Sequence, residues 1–106
     1  MLPSLTALRF HDSDSFFLIA GPCVIEDHEN PYVVCQRLAE IADRLHIPFL
    51  FKASYRKANR SSVGSFTGIG DLEGLRLLRD IGERYHVPVV TDIHSEAEAA
   101  VAADYV

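Results

Sequence analysis

The sequence is poor in cysteine. Cys23 and Cys35 are the two in 106 residues, too few for the disulfide framework of a small secreted domain, which points to a reducing compartment. It also lacks a basic excess. Ten Lys and Arg stand against fifteen Asp and Glu, a formal net charge of −5, whereas a nucleic-acid-binding domain usually carries the opposite sign. No apolar run is long. Phe16 to Ile25 is interrupted by Gly21-Pro22, and a membrane helix needs roughly twenty apolar residues. Met1 to Phe10 has no apolar stretch behind a basic start, so no signal peptide is expected. These absences predict a soluble, cytoplasmic protein without a nucleic-acid or membrane partner.

What is present suits a packed domain. Hydrophobic residues make up 48% and charged residues 24%, ordinary for a globular chain. Phe16 to Ala20 reads as a strand buried on both faces. A helix is predicted over Asn30–Leu45, with Asn30 as cap, Pro31 in the first turn, and Val34, Leu38, Ile41 and Leu45 along one face. Ile47–Phe51 reads as a second strand. A polar stretch from Lys52 to Gly70 precedes a helix over Asp71–Tyr85, whose stripe is Leu75, Leu78, Ile81 and Tyr85. Val87–Val90 reads as a third strand. Ser95 with Glu98 three residues on signals a short helix to Ala103. Asp104–Val106 reads as the start of a fourth strand.

The segment Arg44 to Lys52 is echoed, 40 residues on, by Arg84 to Asp92. That offset accommodates one strand, one crossover helix and their loops. Repeated β/α units build a parallel α/β sheet, closed as an eight-stranded barrel or left open as a doubly wound sheet. A barrel needs about 250 residues, so the chain is expected to supply the first three units of a truncated (β/α)8 domain, with residues 1–106 as its N-terminal part.

Function in a β/α barrel sits at the carboxyl ends of the strands. Here the strands end in Gly21-Pro22-Cys23, in Lys52 and in Thr91-Asp92: a thiol, an amine and a carboxylate. His46 and His86 lie at the opposite ends and read as structural. Between Lys52 and Ser62, four cations mix with hydroxyl and amide groups, a composition suited to phosphate or carboxylate. Cys35 reads as a structural thiol. Glu26, Asp27 and His28 read as a loop leading into the helix. Gly64, Gly68 and Gly70 do not form a dinucleotide fingerprint, and no motif makes His28 or His94 a metal ligand.

Phe51-Lys52-Ala53-Ser54 followed by Lys57-Ala58-Asn59-Arg60-Ser61-Ser62 resembles the signature of the 3-deoxy-D-manno-octulosonate 8-phosphate synthases. Ala20 to Glu26 is similar to the first-strand motif of that family's metal-dependent members, and Thr91-Asp92-Ile93-His94 to its turn after the third strand. The resemblance implies a β/α-barrel transferase that condenses phosphoenolpyruvate with arabinose 5-phosphate, in the route to lipopolysaccharide. It implies that Lys52 and Lys57 hold phosphoenolpyruvate, that Asn59, Arg60 and Ser61 receive arabinose 5-phosphate, that Asp92 lies near the sugar hydroxyls, and that Cys23 binds a divalent metal. Lys57 and Asp92 are the implied catalytic pair. A homotetramer, with a neighbouring subunit at the sugar-phosphate site, is implied as well. The sequence departs from the family at Arg56, where aspartate is common, at Thr67 to Gly70, and at Ser95, where glutamate is common. The related synthase that uses erythrose 4-phosphate shares Gly21-Pro22-Cys23 but has a different string in place of Asn59 to Ser62. A third reading is a non-catalytic fragment or anion-binding module.

Overall fold

The computed structural model describes residues 8–10, 16–56 and 70–106. Three parallel strands lie in chain order, β1 (Leu18–Ala20), β2 (Phe49–Lys52) and β3 (Val89–Val90), and alternate with α1 (Asn30–Leu45), α2 (Asp71–Tyr85) and α3 (Glu96–Ala102). This is the α/β architecture that the repeat predicts.

The repeat encodes a helix stop. His46 and His86 both take a left-handed conformation, φ 55°. Beyond them, Ile47 N–H reaches the Ala42 carbonyl (2.9 Å) and Val87 N–H reaches the Gly82 carbonyl (3.2 Å). These six-residue closures satisfy carbonyls at the helix end. Each is followed by a proline and then a strand, so helix end and strand start are fixed together. The structural reading of both histidines agrees with this geometry.

α1 and α2 have the predicted limits, but the start of α1 differs in detail. Asn30 is the first helical residue rather than the cap. The N-cap position is Glu29, whose side chain makes no capping bond; the capping carboxylate comes from Asp27, whose Oδ1 accepts the N–H groups of Asn30 (2.6 Å) and Glu29 (2.8 Å). Those bonds, Asn30's first and Glu29's second, hold the Asp27 carboxyl below its usual range. The buried line of α1 also shifts from the predicted one, running through Pro31, Cys35 and Ala42, while Ile41 and Leu45 are 44% and 59% exposed. Val34 and Leu38 of the predicted line still pack on the core, and with Leu38 between Cys35 and Ala42 the buried line keeps the 4-3-4 spacing. The small side chains face the sheet because they let the helix approach it closely.

The core joins Ile25, Cys35, Ala42, Phe49, Phe51, Ala53, Leu77, Leu78 and Ile81. Alternate strand residues point to one face, so Phe49, Phe51 and Ala53 meet the helices. A second small cluster, Tyr55, Leu75 and Ala102 with Tyr105 against it, seats α3 beside α2.

Three sequence expectations change. The strands are shorter than predicted, because pairing begins only where Leu18 N–H meets the Pro48 carbonyl (2.8 Å); Phe16 and Phe17 are exposed. The sheet is covered on one face rather than two, and Ile19 on the other is 47% exposed. Asp104–Val106 is not a strand. Its N–H groups bond back to Val101 and Ala102, so those residues wind onto the end of α3.

Candidate functional site at the carboxyl edge of the sheet

The helical crossovers return each strand parallel to the last, so all three carboxyl ends share one edge. Beyond β1 the pairing continues with a change of step. Leu18 lies opposite Phe49, and Val24 lies opposite Ser54. Six steps on the first chain therefore match five on the second, and the extra residue falls within Gly21-Pro22-Cys23. Gly21 is pressed against β2: a Cβ there would lie 1.8 Å from the Lys52 carbonyl oxygen. The Cys23 carbonyl accepts Ser54 N–H (3.3 Å), and Ile25 N–H donates to the Ser54 carbonyl (2.9 Å).

Lys52 is the last residue of β2, opposite Val90. It alternates with Phe51 and so points to the open face of the sheet, half-buried. Asp92 lies two residues past the end of β3. Thr91 Oγ1 donates to the Ala53 carbonyl (2.9 Å) and His94 Nε2–H donates to the Arg56 carbonyl (3.0 Å), so side chains hold this turn to the end of β2. Asp92 Oδ2 lies 3.9 Å from the same His94 nitrogen, and Asp92 Oδ1 is buried without a hydrogen-bond partner among the described residues. Cys23, Lys52 and Asp92 thus share the edge. Lys57, Asn59, Arg60 and Ser61 lie outside the described residues.

A further group occupies the edge. The Glu98 carboxylate on α3 receives the Tyr55 hydroxyl, Arg56 Nη2 (2.7 Å) and Ser95 Oγ (2.8 Å). Ser95 is the N-cap residue as predicted, but its hydroxyl donates to Glu98 instead of capping the backbone. The Tyr55 ring is edge-on to His94 (5.9 Å), and Arg56 Nη1 lies 3.8 Å from Asp71 Oδ2 at the start of α2. Burial first, and the Glu98 carboxylate second, push the Tyr55 hydroxyl well above its usual range. The Tyr55 hydrogen bond is the largest influence holding Glu98 below its own range, with Ser95, Arg56 and His94 adding to it. Composition marked Arg56 only as one of four loop cations, and the capping pattern singled out Glu98; their pairing joins residues 42 apart and has no local signal.

Glu26, Asp27 and His28 do not gather as ligands. Asp27 caps α1, and His28 Nε2 pairs with Glu73 (3.1 Å). Among the described residues no group of three or more His, Cys, Asp or Glu converges on a metal position. Cys23 is a free, exposed thiol, a suitable donor for a transition metal but a single one. Among the described residues, no helix is long and apolar enough to cross a membrane.

Residues 8–106 match the DAHP synthetase I family. The chain belongs to that family. Its fold is accordingly the opening arc of the family's β/α barrel, and the open sheet face is the side that a barrel turns inward. The chain is 55% identical over 86 residues to a 2-dehydro-3-deoxyphosphooctonate aldolase of Desulfosudis oleivorans, covering 81% of this chain and 31% of the relative. It is 53% identical over 91 residues to the enzyme of that name from Methylibium petroleiphilum, covering 86% and 32%. With that of Bordetella petrii the identity is 51% over 88 residues, covering 83% and 31%. The chain therefore spans about a third of the length of these relatives.

Proposed function

We propose that the chain is the N-terminal part of a single-domain 3-deoxy-D-manno-octulosonate 8-phosphate synthase, the activity also named 2-dehydro-3-deoxyphosphooctonate aldolase. The observation that carries this reading is the meeting of Cys23, Lys52 and Asp92 at one sheet edge, in a chain about half identical to proteins of that name. The reaction joins the enol carbon of phosphoenolpyruvate to the aldehyde of arabinose 5-phosphate, adds water and releases phosphate. Its product feeds lipopolysaccharide synthesis in the cytoplasm.

Both substrates are anions, so the site's work is largely orientation and charge stabilisation. Lys52 presents an ammonium on the open face of the sheet, where it receives the phosphoenolpyruvate carboxylate. Lys57 adds a second cation and forms the catalytic pair with Asp92. Asn59, Arg60 and Ser61 take the sugar phosphate, Arg60 by its bidentate fork. Asp92 Oδ1, which has no hydrogen-bond partner among the described residues, is an acceptor for a sugar hydroxyl, which agrees with the role assigned to that carboxylate. Cys23 places the protein in the metal-dependent branch as one ligand of a divalent ion, which would supply Lewis-acid polarisation of the aldehyde when bound. A homotetramer completes the proposal.

The full-length protein should release phosphate from phosphoenolpyruvate with arabinose 5-phosphate and not with erythrose 4-phosphate. Preference for erythrose 4-phosphate would transfer the chain to the heptulosonate branch. Release with neither aldehyde would leave only an anion-binding role. Chelation should abolish turnover and a divalent transition metal restore it; indifference to chelation would remove Cys23 from its role.

A further inference from the structure

We propose that Glu98 is a positioning residue for Asp92, acting through Tyr55, Arg56 and His94. The inference rests on the function proposed above, in which Asp92 meets the sugar substrate.

The two implicated strand ends are held in different ways. Lys52 lies within β2, and the ladder on either side of it is closed by Phe51 N–H to the Pro88 carbonyl (3.0 Å) and Ala53 N–H to the Val90 carbonyl (3.3 Å). Its backbone is fixed by the sheet whatever α3 does. Asp92 lies beyond the ladder. Its turn is anchored by Thr91 on one side and by His94 on the Arg56 carbonyl on the other. The second anchor is only as well placed as Arg56 itself.

Arg56 has left the sheet, and Glu98 holds it there together with its neighbour Tyr55. A single carboxylate thus ties the segment after β2 to the helix after β3. Tyr55 is 1% exposed, its ring backs His94, and Gly74 of α2 packs against its backbone closely enough that a Cβ there would lie 2.9 Å from Tyr55 Cβ. Charge-assisted bonds to one acceptor are short and directional. Weakening them lets Arg56 drift, carries the carbonyl away from His94 and moves Asp92, while Lys52 stays in place. Arg56 and Ser95 both donate to Glu98, so the carboxylate gathers donors from the segment after β2 and from its own helix start.

The test is the full-length protein with Glu98→Gln, and separately Arg56→Lys as the variant that keeps the charge. Initial rates with phosphoenolpyruvate and arabinose 5-phosphate are varied in turn. Glu98→Gln should raise the KM for the sugar about tenfold or more, as displacement of a substrate-contacting group does, while the KM for phosphoenolpyruvate changes less than about twofold. Arg56→Lys, which keeps the charge, should leave the sugar KM close to that of wild type, and Ser95→Ala, removing one donor of three, should fall between. Wild-type protein that turns over while Glu98→Gln leaves the sugar KM unchanged, or raises both KM values alike, overturns the positioning role and leaves the proposed function standing. Wild-type protein inactive with these substrates overturns both. Should Glu98→Gln fail to fold, Ser95→Ala decides on the same terms: a rise in the sugar KM alone supports the positioning role, and no rise, or a rise in both KM values, overturns it.

Discussion

Replacing Gly21 by alanine tests how tightly β1 is pressed against β2. A Cβ at that position would lie 1.8 Å from the Lys52 carbonyl oxygen, 2.8 Å from its carbonyl carbon and 3.2 Å from its nitrogen. Ordinary carbon–oxygen contacts stand at roughly 3.3–3.6 Å, so the gap falls short by about 1.5 Å. The obstacle is backbone, and no side-chain rotation relieves it. Neighbouring strands lie about 4.8 Å apart, so relief means splaying the two chains by nearly a third of that spacing, just where the ladder steps from Ala20 opposite Phe51 to Val24 opposite Ser54. Overpacking costs typically 1–3 kcal/mol, and a backbone obstacle belongs at the upper end. The reduced freedom of the unfolded chain returns about 0.4–1 kcal/mol. The net loss expected for Gly21→Ala is about 2 kcal/mol, read as a shift of the urea midpoint at unchanged slope. The same splaying displaces Cys23 from Lys52, so activity should fall in the protein that remains folded. A variant within about 0.5 kcal/mol of wild type, the range of ordinary surface substitutions, would refute the close approach.

The two cysteines should differ in reactivity. Burial pushes the Cys35 thiol up to about 12 while Cys23 is exposed, so an alkylating reagent at neutral pH should modify Cys23 in native protein and reach Cys35 only in denaturant; labelling of both in native protein would contradict the packing of α1. Glu98 should contribute to stability in a pH-dependent way. Its folded-state pKa is depressed, so its contribution is present above the unfolded value near about 4.3 and lost as pH falls through the folded value. Urea midpoints of wild type and Glu98→Gln should accordingly converge in acid and stand apart at neutral pH, with constant separation counting against the hydrogen-bonded carboxylate.

Periodicity and punctuation made much of this fold legible. The limits of α1 and α2 follow from apolar spacing, from Pro31, and from the histidines that recur at a 40-residue offset with matching backbone angles. The strand-end residues could be read because an apolar run that stops at a thiol, an amine or a carboxylate is a local pattern. What depends on contact between distant segments could not. Which side of α1 meets the sheet is decided by close approach, and two lines of equal period compete for it. The end of β1 is set by Gly21 against Lys52, a pair 31 residues apart. Asp104–Val106 has strand-like composition, but in its place the last carbonyls of α3 accept its N–H groups.

The group around Glu98 was illegible for the same reason, and it sits where the site does because of topology. Parallel strands joined by helices must deliver every strand end, and every loop that leaves one, to a single edge. Side chains that support a site there have to come from a neighbouring unit, since each loop is anchored only at its own strand. Glu98 belongs to the third unit and receives Tyr55 and Arg56 of the second, while Asp71 at the start of α2 lies near the same guanidinium. A substitution at Arg56 would therefore act on the unit after it, and one at Glu98 on the unit before it. Those effects can be balanced by changes across the contact but not by changes within either segment alone. Arg56 and Ser95, which carry no joint signal when read singly in the sequence, are together two donors to one carboxylate.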